Sequence, residues 1–333
     1  MDTAARIPLE VQDGNLRGLV KQLCALLHAP AGSALALVLE TEGSTYARVG
    51  TPVLFTPDGH QGWISGGCLE PEIAQRAQQV AAQRRMDWME IDTRDDAALF
   101  SGSAVGCRGC QRIVLLPLAA LTPARGLFET WLQHPVPLQW DLHADGHLDL
   151  RCGSTQVVLQ LPAQPIGWQG PRVHWSLQWL RSPRVLLLGA GPELAPLQPM
   201  LQGLGWHVEV REPRAAWRER AGIAPPVEAA MGEGSPAAPG PDAVLVMHHA
   251  FELDLQALDA LASTPVRFIG LLGPTRRRDD LYSLLPADTV AALAPRLRSP
   301  IGLPLGGRGP EAIALSIAAQ LQAWRHGTAL DRP

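Results

Sequence analysis

One βαβ-like segment in the second half of the chain constrains the fold more than any other feature. An apolar stretch, Arg184 to Leu188, runs directly into Gly189-Ala190-Gly191, and a helical pattern follows from Glu193 to Leu204. A second apolar stretch, Val208 to Arg211, then ends at Glu212. This order is typical of a Rossmann unit, in which glycines let the backbone approach a phosphate and an acid binds ribose hydroxyls. The segment therefore predicts a parallel α/β sheet.

The dinucleotide fingerprint of this segment is incomplete. Leu194-Ala195 occupies the place of a third glycine, and Pro196 and Pro199 are expected to distort the helix beyond its first turn. The two glycines and the acid are candidates for binding NAD(H) or NADP(H). A purely architectural use of the unit is the alternative.

A pair of histidines follows the next strand of this half. The strand Ala243 to Met247 ends at His248-His249, and a helical pattern runs from Leu253 to Leu261. Both imidazoles are therefore expected outside the carboxyl ends of parallel strands, where open α/β sheets bind ligands. His249 with Glu252 or Asp254 could transfer protons, and the alternative is a histidine that merely caps the helix or lies in the loop.

Two further loops of the second half carry candidate ligand groups. Arg276-Arg277-Arg278 follows the strand Val266 to Leu272, and three cations at a strand-to-helix turn suit phosphate, although a solvated helix face would also carry them. The loop from Ser299 to Gly307 is rich in glycine and includes Gly302. A helix from Glu311 to Trp324 closes the chain.

The first half is organised around a strand end that runs into a double glycine, a thiol and a helix start, Ile64-Ser65-Gly66-Gly67-Cys68-Leu69-Glu70. Adjacent glycines permit positive φ and bring amide N–H groups close to a ligand. Pro71 suits the first turn of a helix that reaches about Arg85, so Cys68 should lie near a helix N-terminus, where the dipole favours thiolates and anions. The alternative is a tight turn with a half-buried cysteine.

Strands and one more helix are predicted around this turn. The predicted elements are a helix from Asn15 to His28 and strands at Ala34 to Glu40, Thr51 to Thr56, Gln61 to Ser65, Trp88 to Ile91 and Arg112 to Leu116. The polar turn Thr41 to Thr45, which contains Glu42, could bind a ligand through hydroxyls and amides. Residues 121–182 carry five tryptophans and are predicted to form a β-rich bridge or insert.

A second glycine–cysteine loop, Gly102 to Cys110, contains Gly106, Cys107 and Gly109. Cys107 and Cys110 have the Cys-x-x-Cys spacing, which can hold zinc or an iron–sulfur cluster or cycle as a disulfide. A structural zinc site needs four ligands, and no second Cys-x-x-Cys pair accompanies this one. The spacing alone does not decide among these chemistries.

The composition excludes several classes of function. A net charge of −4 over 333 residues offers no basic excess for a nucleic acid. No apolar run approaches the ~20 residues of a membrane span, and the first residues lack a signal pattern, so we expect a cytoplasmic protein without a membrane partner. Five cysteines, an odd number, favour free thiols over a disulfide framework.

Taken together, these motifs resemble those of the XdhC/CoxI family, accessory proteins that load molybdenum cofactor into xanthine dehydrogenase and related molybdenum hydroxylases. In chain order the matching motifs are Thr41-Glu42-Gly43-Ser44, Ser65-Gly66-Gly67-Cys68-Leu69-Glu70, Gly106-Cys107-Arg108-Gly109, Gly189-Ala190-Gly191, Glu212-Pro213-Arg214, Val246-Met247-His248-His249, Ile269-Gly270-Leu271-Leu272-Gly273, Pro300-Ile301-Gly302-Leu303, Pro310-Glu311 and Ala314-Leu315-Ser316-Ile317. Their ordered recurrence, more than any single motif, carries the resemblance.

The resemblance implies a fold and a domain arrangement. We expect an α/β protein with an N-terminal α+β domain with a mixed sheet at residues 1–120, the bridge at 121–182, and a Rossmann-like doubly wound domain at 183–333. It also implies a chaperone without turnover chemistry of its own. Such a protein receives the pterin cofactor molybdopterin, holds it during sulfuration by a cysteine desulfurase, and passes it to the apo-hydroxylase. A homodimer is implied as well.

Glycine-rich amide clusters and arginines suit an anionic pterin phosphate. The candidate cofactor-binding residues are Glu42, Ser65, Gly66, Gly67, Cys68, Glu70, Gly106, Cys107, Gly109, Gly189, Gly191, Glu212, His249, Arg276 and Gly302. Because molybdenum is thiophilic, Cys68 and Cys107 are the expected metal contacts, and the two thiols should converge near one pocket.

The sequence departs from the family pattern at three positions of the Rossmann half: Pro304 replaces an acid, Gln320 replaces Glu, and Ala250 replaces a polar residue. In the first half, Cys110 is extra to the pattern, so the resemblance implies no Cys-x-x-Cys chemistry. Two other functions therefore stay open. The first is an NAD(P)-dependent oxidoreductase with His249 as acid or base, and the second is a scaffold that recruits hydroxylase and desulfurase without binding a small molecule.

Overall fold

The computed structural model describes residues 9–11, 14–94, 108–168, 170, 172–224 and 240–328. The chain divides into two compact units, residues 1–181 and 182–333. Residues 121–181, the predicted bridge, lie in the first of these units. Within the described ranges, no helix has both the length and the apolar character needed to cross a bilayer.

The first unit contains an antiparallel five-stranded sheet. Its strands are β2 (Ala34–Gly43), β3 (Pro52–Thr56), β4 (Gly59–Gln61), β5 (Asp87–Asp92) and β6 (Gly109–Pro117). They lie in the order β4-β3-β2-β6-β5, and every neighbouring pair is antiparallel. The central position of β2 explains why its first six residues are all buried.

Two helices cover opposite faces of this sheet: α1 (Leu16–Leu26) and α2 (Glu70–Gln83). Leu35, Leu37 and Leu39 of β2 belong to the core that contains the apolar side chains of α1. The alternate residues of β2 belong to a second core together with Ile73 and Val80 of α2. Because successive side chains of a strand point to opposite faces, one apolar run contributes to both cores.

A mixed sheet completes the first unit. Its strands are β1 (Leu9–Val11), β7 (Leu138–His143), β8 (His147–Cys152), β9 (Thr155–Gln160) and β10 (His174–Trp179). They lie in the order β1-β10-β7-β8-β9, with β1 parallel to β10 and the other pairs antiparallel. A 3₁₀ helix (Leu118–Ala124) and α3 (Arg125–Gln133) precede β7 in the chain. Trp140 and Trp179 share the core of α1, so this sheet is built into the unit.

The second unit is a parallel sheet with helices on both faces, which confirms the predicted Rossmann-like doubly wound fold. Its strands are β11 (Arg184–Leu188), β12 (His207–Arg211), β13 (Ala243–Val246), β14 (Phe268–Leu271) and β15 (Leu297–Arg298). Their order is β12-β11-β13-β14-β15, and all pairs are parallel. The order reverses between β11 and β13, where doubly wound sheets leave a crevice for ligands.

The helices of this unit are α4 (Leu194–Gly203), α5 (Ala215–Arg220), α6 (Phe251–Ala262), α7 (Thr275–Tyr282), α8 (Ala287–Leu293) and α9 (Pro310–Arg325). One core contains buried side chains of α4 and α9, and the other contains those of α6, α7 and α8. Each core packs against strands of the same sheet, as the doubly wound arrangement requires.

Four predicted elements differ from the structure. The first three residues of the polar turn predicted at Thr41 to Thr45 are instead the end of β2. β4 ends at Gln61 instead of Ser65, because the Glu70 carboxylate accepts the backbone N–H groups of Ile64 and Ser65 that a strand would use. α4 continues through Pro199, since its buried leucines pack it against the sheet. The three arginines lie within α7, one residue beyond the turn where we expected them.

Candidate functional site

The thiol turn, residues 64–70, is held from its buried side by Glu70. One carboxylate oxygen accepts hydrogen bonds from the N–H groups of Ile64 at 3.0 Å and Ser65 at 2.7 Å, and the other accepts from the Ser65 hydroxyl. Burial alone would raise the pKa of Glu70, but the hydrogen bonds from Ser65 and from the backbone amides outweigh it and lower the pKa. The ionised Glu70 side chain therefore stabilises the conformation of the turn through these hydrogen bonds.

The Ser65 hydroxyl extends this hydrogen-bond network to the residues that follow. Its oxygen accepts from the N–H groups of Gly67 at 3.2 Å and Leu69 at 3.1 Å, and the Cys68 sulfur lies 3.6 Å away. Gly67 has φ of +105°, a conformation that glycine adopts without strain. Ser65 and Glu70 thus shape the turn from inside, where a ligand would not reach them.

Gly66, Gly67 and Cys68 form the exposed rim of the turn. The exposed thiol contradicts the half-buried alternative considered from the sequence. Within the described ranges, the N–H groups of Gly66 and Cys68 have no protein acceptor. A soft thiol therefore lies between two amide donors, a combination that suits a ligand with both a thiophilic centre and anionic oxygens.

The helix dipole contributes less here than the sequence predicted. α2 begins at Glu70, directly after the turn, as expected. Its first turn, however, carries the carboxylates of Glu70 and Glu72. Their negative charges offset the positive partial charge at the helix N-terminus, which would otherwise attract an anion. The local amides of the turn are consequently the better-supported anion donors.

The turn is tied to the sheet through Gln111 of β6, whose side-chain amide donates to the Ile64 carbonyl at 3.3 Å. At the start of the same strand, a Cβ on Gly109 would lie only 2.5 Å from the Ser44 carbonyl oxygen. Gly109 is needed for this close approach of β6 to the residues that follow β2. Glu42 is exposed and pairs with Arg94 at 2.8 Å, so it lies at the surface.

The Cys-x-x-Cys pair is only partly described. Gly106 and Cys107 lie outside the described residues, so their convergence with Cys68 stays a prediction. Cys110 is buried, and burial, followed by the charges of Glu90 and Asp92, raises the pKa of its thiol. In the described part of the chain, no group of three or more His, Cys, Asp or Glu side chains could hold a metal ion.

In the second unit, the Gly-x-Gly turn packs tightly against the loop after β13. A Cβ on Gly189 would lie 2.6 Å from the backbone nitrogen of His248. A Cβ on Gly191 would lie 2.8 Å from both the Glu193 carboxylate and the His249 imidazole. Gly189 is therefore required by close packing against backbone atoms, whereas a Cβ on Gly191 would meet only the ends of two side chains.

His249 pairs with Glu193 at the switch point, the place between β11 and β13 where the strand order reverses. The sequence suggested Glu252 or Asp254 as its partner instead. Nε2 of the imidazole lies 3.0 Å from the Glu193 carboxylate, which is almost fully buried at the start of α4. His249 has φ of +56° and an exposed side chain, whereas His248 is buried. The carboxylate occupies the helix start where a Rossmann protein would bind pyrophosphate.

Asp254 binds the other histidine. Its carboxylate lies 3.1 Å from Nδ1 of His248 and accepts from Arg277 at 2.5 Å. Burial would raise the pKa of Asp254, but the hydrogen bonds from His248 and Arg277 lower it. This buried cluster joins the starts of α6 and α7 and keeps the loop after β13 in place.

The buried Glu212 carboxylate is hydrogen-bonded by groups of the protein itself. It accepts from the backbone N–H and side chain of Arg214 and from the N–H of Ala190 at 2.9 Å. Burial would raise the pKa of Glu212, but the hydrogen bonds from Arg214 outweigh it and lower the pKa. These contacts favour a structural role over the predicted binding of ribose hydroxyls.

Two other candidates of this unit lie in different settings. Arg276 is about nine-tenths exposed and pairs with Asp280 at 3.7 Å along α7. Gly302 has φ of +103°, and its N–H donates to the Gln320 side chain at 2.8 Å. The glutamine at this departure from the family pattern therefore holds the Gly302 loop onto α9.

A groove beside the thiol turn was not found from the sequence. It has a volume of about 530 Å³ and is lined by Gly14, Asn15, Leu16, Leu19, Tyr46, Ala47, Arg48, Thr51, Pro52, Gln61, Gly62 and Trp63. Tyr46 and Trp63 are both at least half exposed. The residues come from three separate segments, so no local sequence pattern reveals the groove.

Comparisons with known proteins agree with this architecture. The profile of the XdhC and CoxI family matches residues 26–92, and that of the XdhC Rossmann domain matches residues 185–321. A Bacillus subtilis (strain 168) protein, named as a probable subunit of xanthine dehydrogenase, is 26% identical over 330 residues, covering 90% of this chain and 95% of its own. A Bacillus halodurans crystal structure, described as a xanthine dehydrogenase, has the same fold, with a TM-score of 0.74 at 23% identity and coverage of 93% of this chain and 96% of its own.

Proposed function

The chain belongs to the XdhC and CoxI family, and from this premise we propose that it serves the maturation of a xanthine dehydrogenase-type molybdenum hydroxylase. In this proposal the protein binds the molybdenum cofactor as cargo, keeps it while a cysteine desulfurase sulfurates it, and transfers it to the apo-hydroxylase. It performs no turnover chemistry itself and acts as a homodimer in the cytoplasm.

The thiol turn is the observation that carries this proposal. Cys68 is exposed beside two N–H groups that have no acceptor in the described part of the chain, and Ser65 and Glu70 hold them in place. A thiolate is a soft ligand that suits molybdenum or its terminal sulfur, and amide N–H groups suit anionic oxygens. The turn also lies within residues 26–92, which match the family profile.

The geometry of the second unit gives less support to the NAD(P)-dependent alternative. The buried Glu193 carboxylate would repel a pyrophosphate at the start of α4, and Glu212 already binds Arg214. A Rossmann fold can be kept for its architecture alone. The scaffold alternative makes no use of the exposed thiol.

Ligand retention tests the proposal against both alternatives. Purified protein is incubated with molybdenum cofactor, NAD(H) or NADP(H), separated by gel filtration, and assayed for bound ligand and for activation of an apo-hydroxylase. We expect retention of the molybdenum cofactor together with activation. Retention of nicotinamide alone would contradict the proposal, and activation without any retained ligand would favour a scaffold.

Substitution of the thiol identifies the site. Cys68→Ala is expected to weaken cofactor retention by roughly 10-fold or more, since even residues outside the direct metal ligands typically contribute that much. Cys24→Ala removes a different thiol, a buried one on α1, and is the matched control. Equal retention by Cys68→Ala and the parent protein would remove Cys68 from the site.

A further inference from the structure

The groove beside the thiol turn has the dimensions and lining of a small-molecule site. Its volume of about 530 Å³ falls within the roughly 300–1,000 Å³ typical of ligand pockets. It lies entirely within the first unit, between the start of α1, the loop that joins β2 to β3, and the segment after β4. Its lining combines aromatic rings with a few polar groups, which is the usual composition of such sites.

Trp63 is exposed in a way that the other tryptophans are not. All ten tryptophans lie in the described part of the chain, and nine of them are buried or partly buried, whereas Trp63 is 50% exposed. Tyr46, on the same groove, is 58% exposed. Large aromatic rings that remain in water around one concave surface indicate a binding site for a partner with a flat apolar face.

Gln61 provides an independent sign of a polar ligand. It lines the groove, and its side-chain oxygen is buried without a donor in the described part of the chain. Buried polar atoms in folded proteins almost always have a hydrogen-bond partner. An N–H group on a ligand would satisfy this acceptor once the Gln61 side-chain amide turned towards the groove.

Trp63 connects the groove to the thiol turn. A Cβ on Gly67 would lie 3.8 Å from Cζ3 of the Trp63 ring, so the ring is adjacent to the exposed rim of the turn. His60 contacts the same ring edge-on, with centroids 4.8 Å apart, and restricts its orientation. A molecule stacked on Trp63 could therefore extend to Cys68.

We propose that this groove binds a planar aromatic heterocycle with N–H donors on its edge, stacked on Trp63 and hydrogen-bonded to Gln61. This inference rests on the proposed function, because the expected occupant is the pterin ring of the cofactor, with its metal-bearing end towards Cys68. A purine has a similar face and N–H edge and is the competing occupant.

Equilibrium dialysis of the full chain with two probes, 6-hydroxymethylpterin and guanosine, tests the groove without any metal. Trp63→Ala is expected to weaken pterin binding roughly 10-fold or more, in the range that stacking on an aromatic side chain contributes. Trp63→Phe retains a ring and should restore most of the affinity. Gln61→Ala should weaken binding as well.

Trp217→Ala, which removes a partly exposed tryptophan of the second unit, is the matched control and should bind as the parent does. Circular dichroism verifies that each variant is folded. Preferential binding of guanosine would assign the groove to a purine and overturn the pterin assignment. Failure of the parent to bind either ring, or equal binding by Trp63→Ala and the parent, would overturn the inference altogether.

The outcome is distinguishable from failure of the proposed function. If the parent retains molybdenum cofactor in a Cys68-dependent manner but Trp63→Ala retains it equally, the groove assignment is wrong and the function stands. If the parent binds pterin through Trp63 but neither retains the cofactor nor activates the hydroxylase, the groove assignment stands and the proposed function fails.

Discussion

At the scale of single residues, the candidate positions divide into those that shape the site and those that a ligand can reach. Ser65 and Glu70 are buried and use their oxygens on the backbone of the turn itself. Gly66 and Cys68 are exposed. The motif therefore combines two kinds of residue, and a substitution in each class should have a different consequence.

Substitution of Glu70 should lower stability. Glu70→Gln replaces charge-assisted hydrogen bonds to buried backbone N–H groups with neutral ones, and we expect a loss of about 1–3 kcal/mol in the free energy of unfolding. Urea denaturation at pH 7 measures it. Glu72→Gln, an exposed acid in the same helical turn, is the control and should change stability by less than about 0.5 kcal/mol.

The same variant has a defined pH dependence. The folded protein lowers the pKa of Glu70 below its ordinary value of 4.5, so the ionised carboxylate contributes its full stabilisation above that pH. The contribution is lost as the pH falls through the lower, folded-state pKa. The stability difference between the parent and Glu70→Gln should therefore be constant from pH 7 to about 5 and shrink below 4.5. A difference that grew on acidification would contradict this assignment.

At the scale of elements, periodicity predicted most helices and strands of the described chain within a few residues. It could not predict side-chain partners that are distant in sequence. His249 contacts Glu193, 56 positions away, and the groove beside Trp63 is lined by residues from three separate segments. Periodicity also does not specify side-chain direction: the Glu212 carboxylate, predicted to bind ribose, accepts a hydrogen bond from Arg214, only two residues away. The local sequence pattern predicts where helices and strands lie, whereas tertiary packing determines which partners the side chains at their ends contact.

The packing of the Gly-x-Gly turn against the loop after β13 makes a prediction for these two elements. Gly189→Ala should destabilise the protein by at least about 2 kcal/mol, because φ is +116° and the new Cβ would meet the backbone of His248. Thermal denaturation of the apo-protein measures the loss. Gly203→Ala, with no heavy atom within 4 Å of its Cβ position, should change stability by no more than about 1 kcal/mol. Similar behaviour of the two variants would contradict the packing explanation.

At the scale of the whole molecule, two units carry separate hydrophobic cores. Each of the four hydrophobic clusters found among the described residues lies entirely on one side of the boundary between residues 181 and 182. Segments with their own core are generally able to fold independently. The thiol turn and its groove belong to the first unit, and the histidine pair belongs to the second. Binding of the cofactor by the first unit should consequently be separable from any function of the histidine pair in the second.

Expression of the two units as separate fragments tests this separation. Residues 1–181 and 182–333 should each unfold in a single cooperative transition, because each retains its complete clusters. If the thiol turn is the cargo site, the first fragment should retain molybdenum cofactor in gel filtration, and its Cys68→Ala variant should not. The second fragment is the control and should retain neither the cofactor nor NAD(H), since Glu193 and Glu212 already hold internal partners. A folded first fragment that cannot retain cofactor while the second fragment can would move the cargo site to the histidine pair.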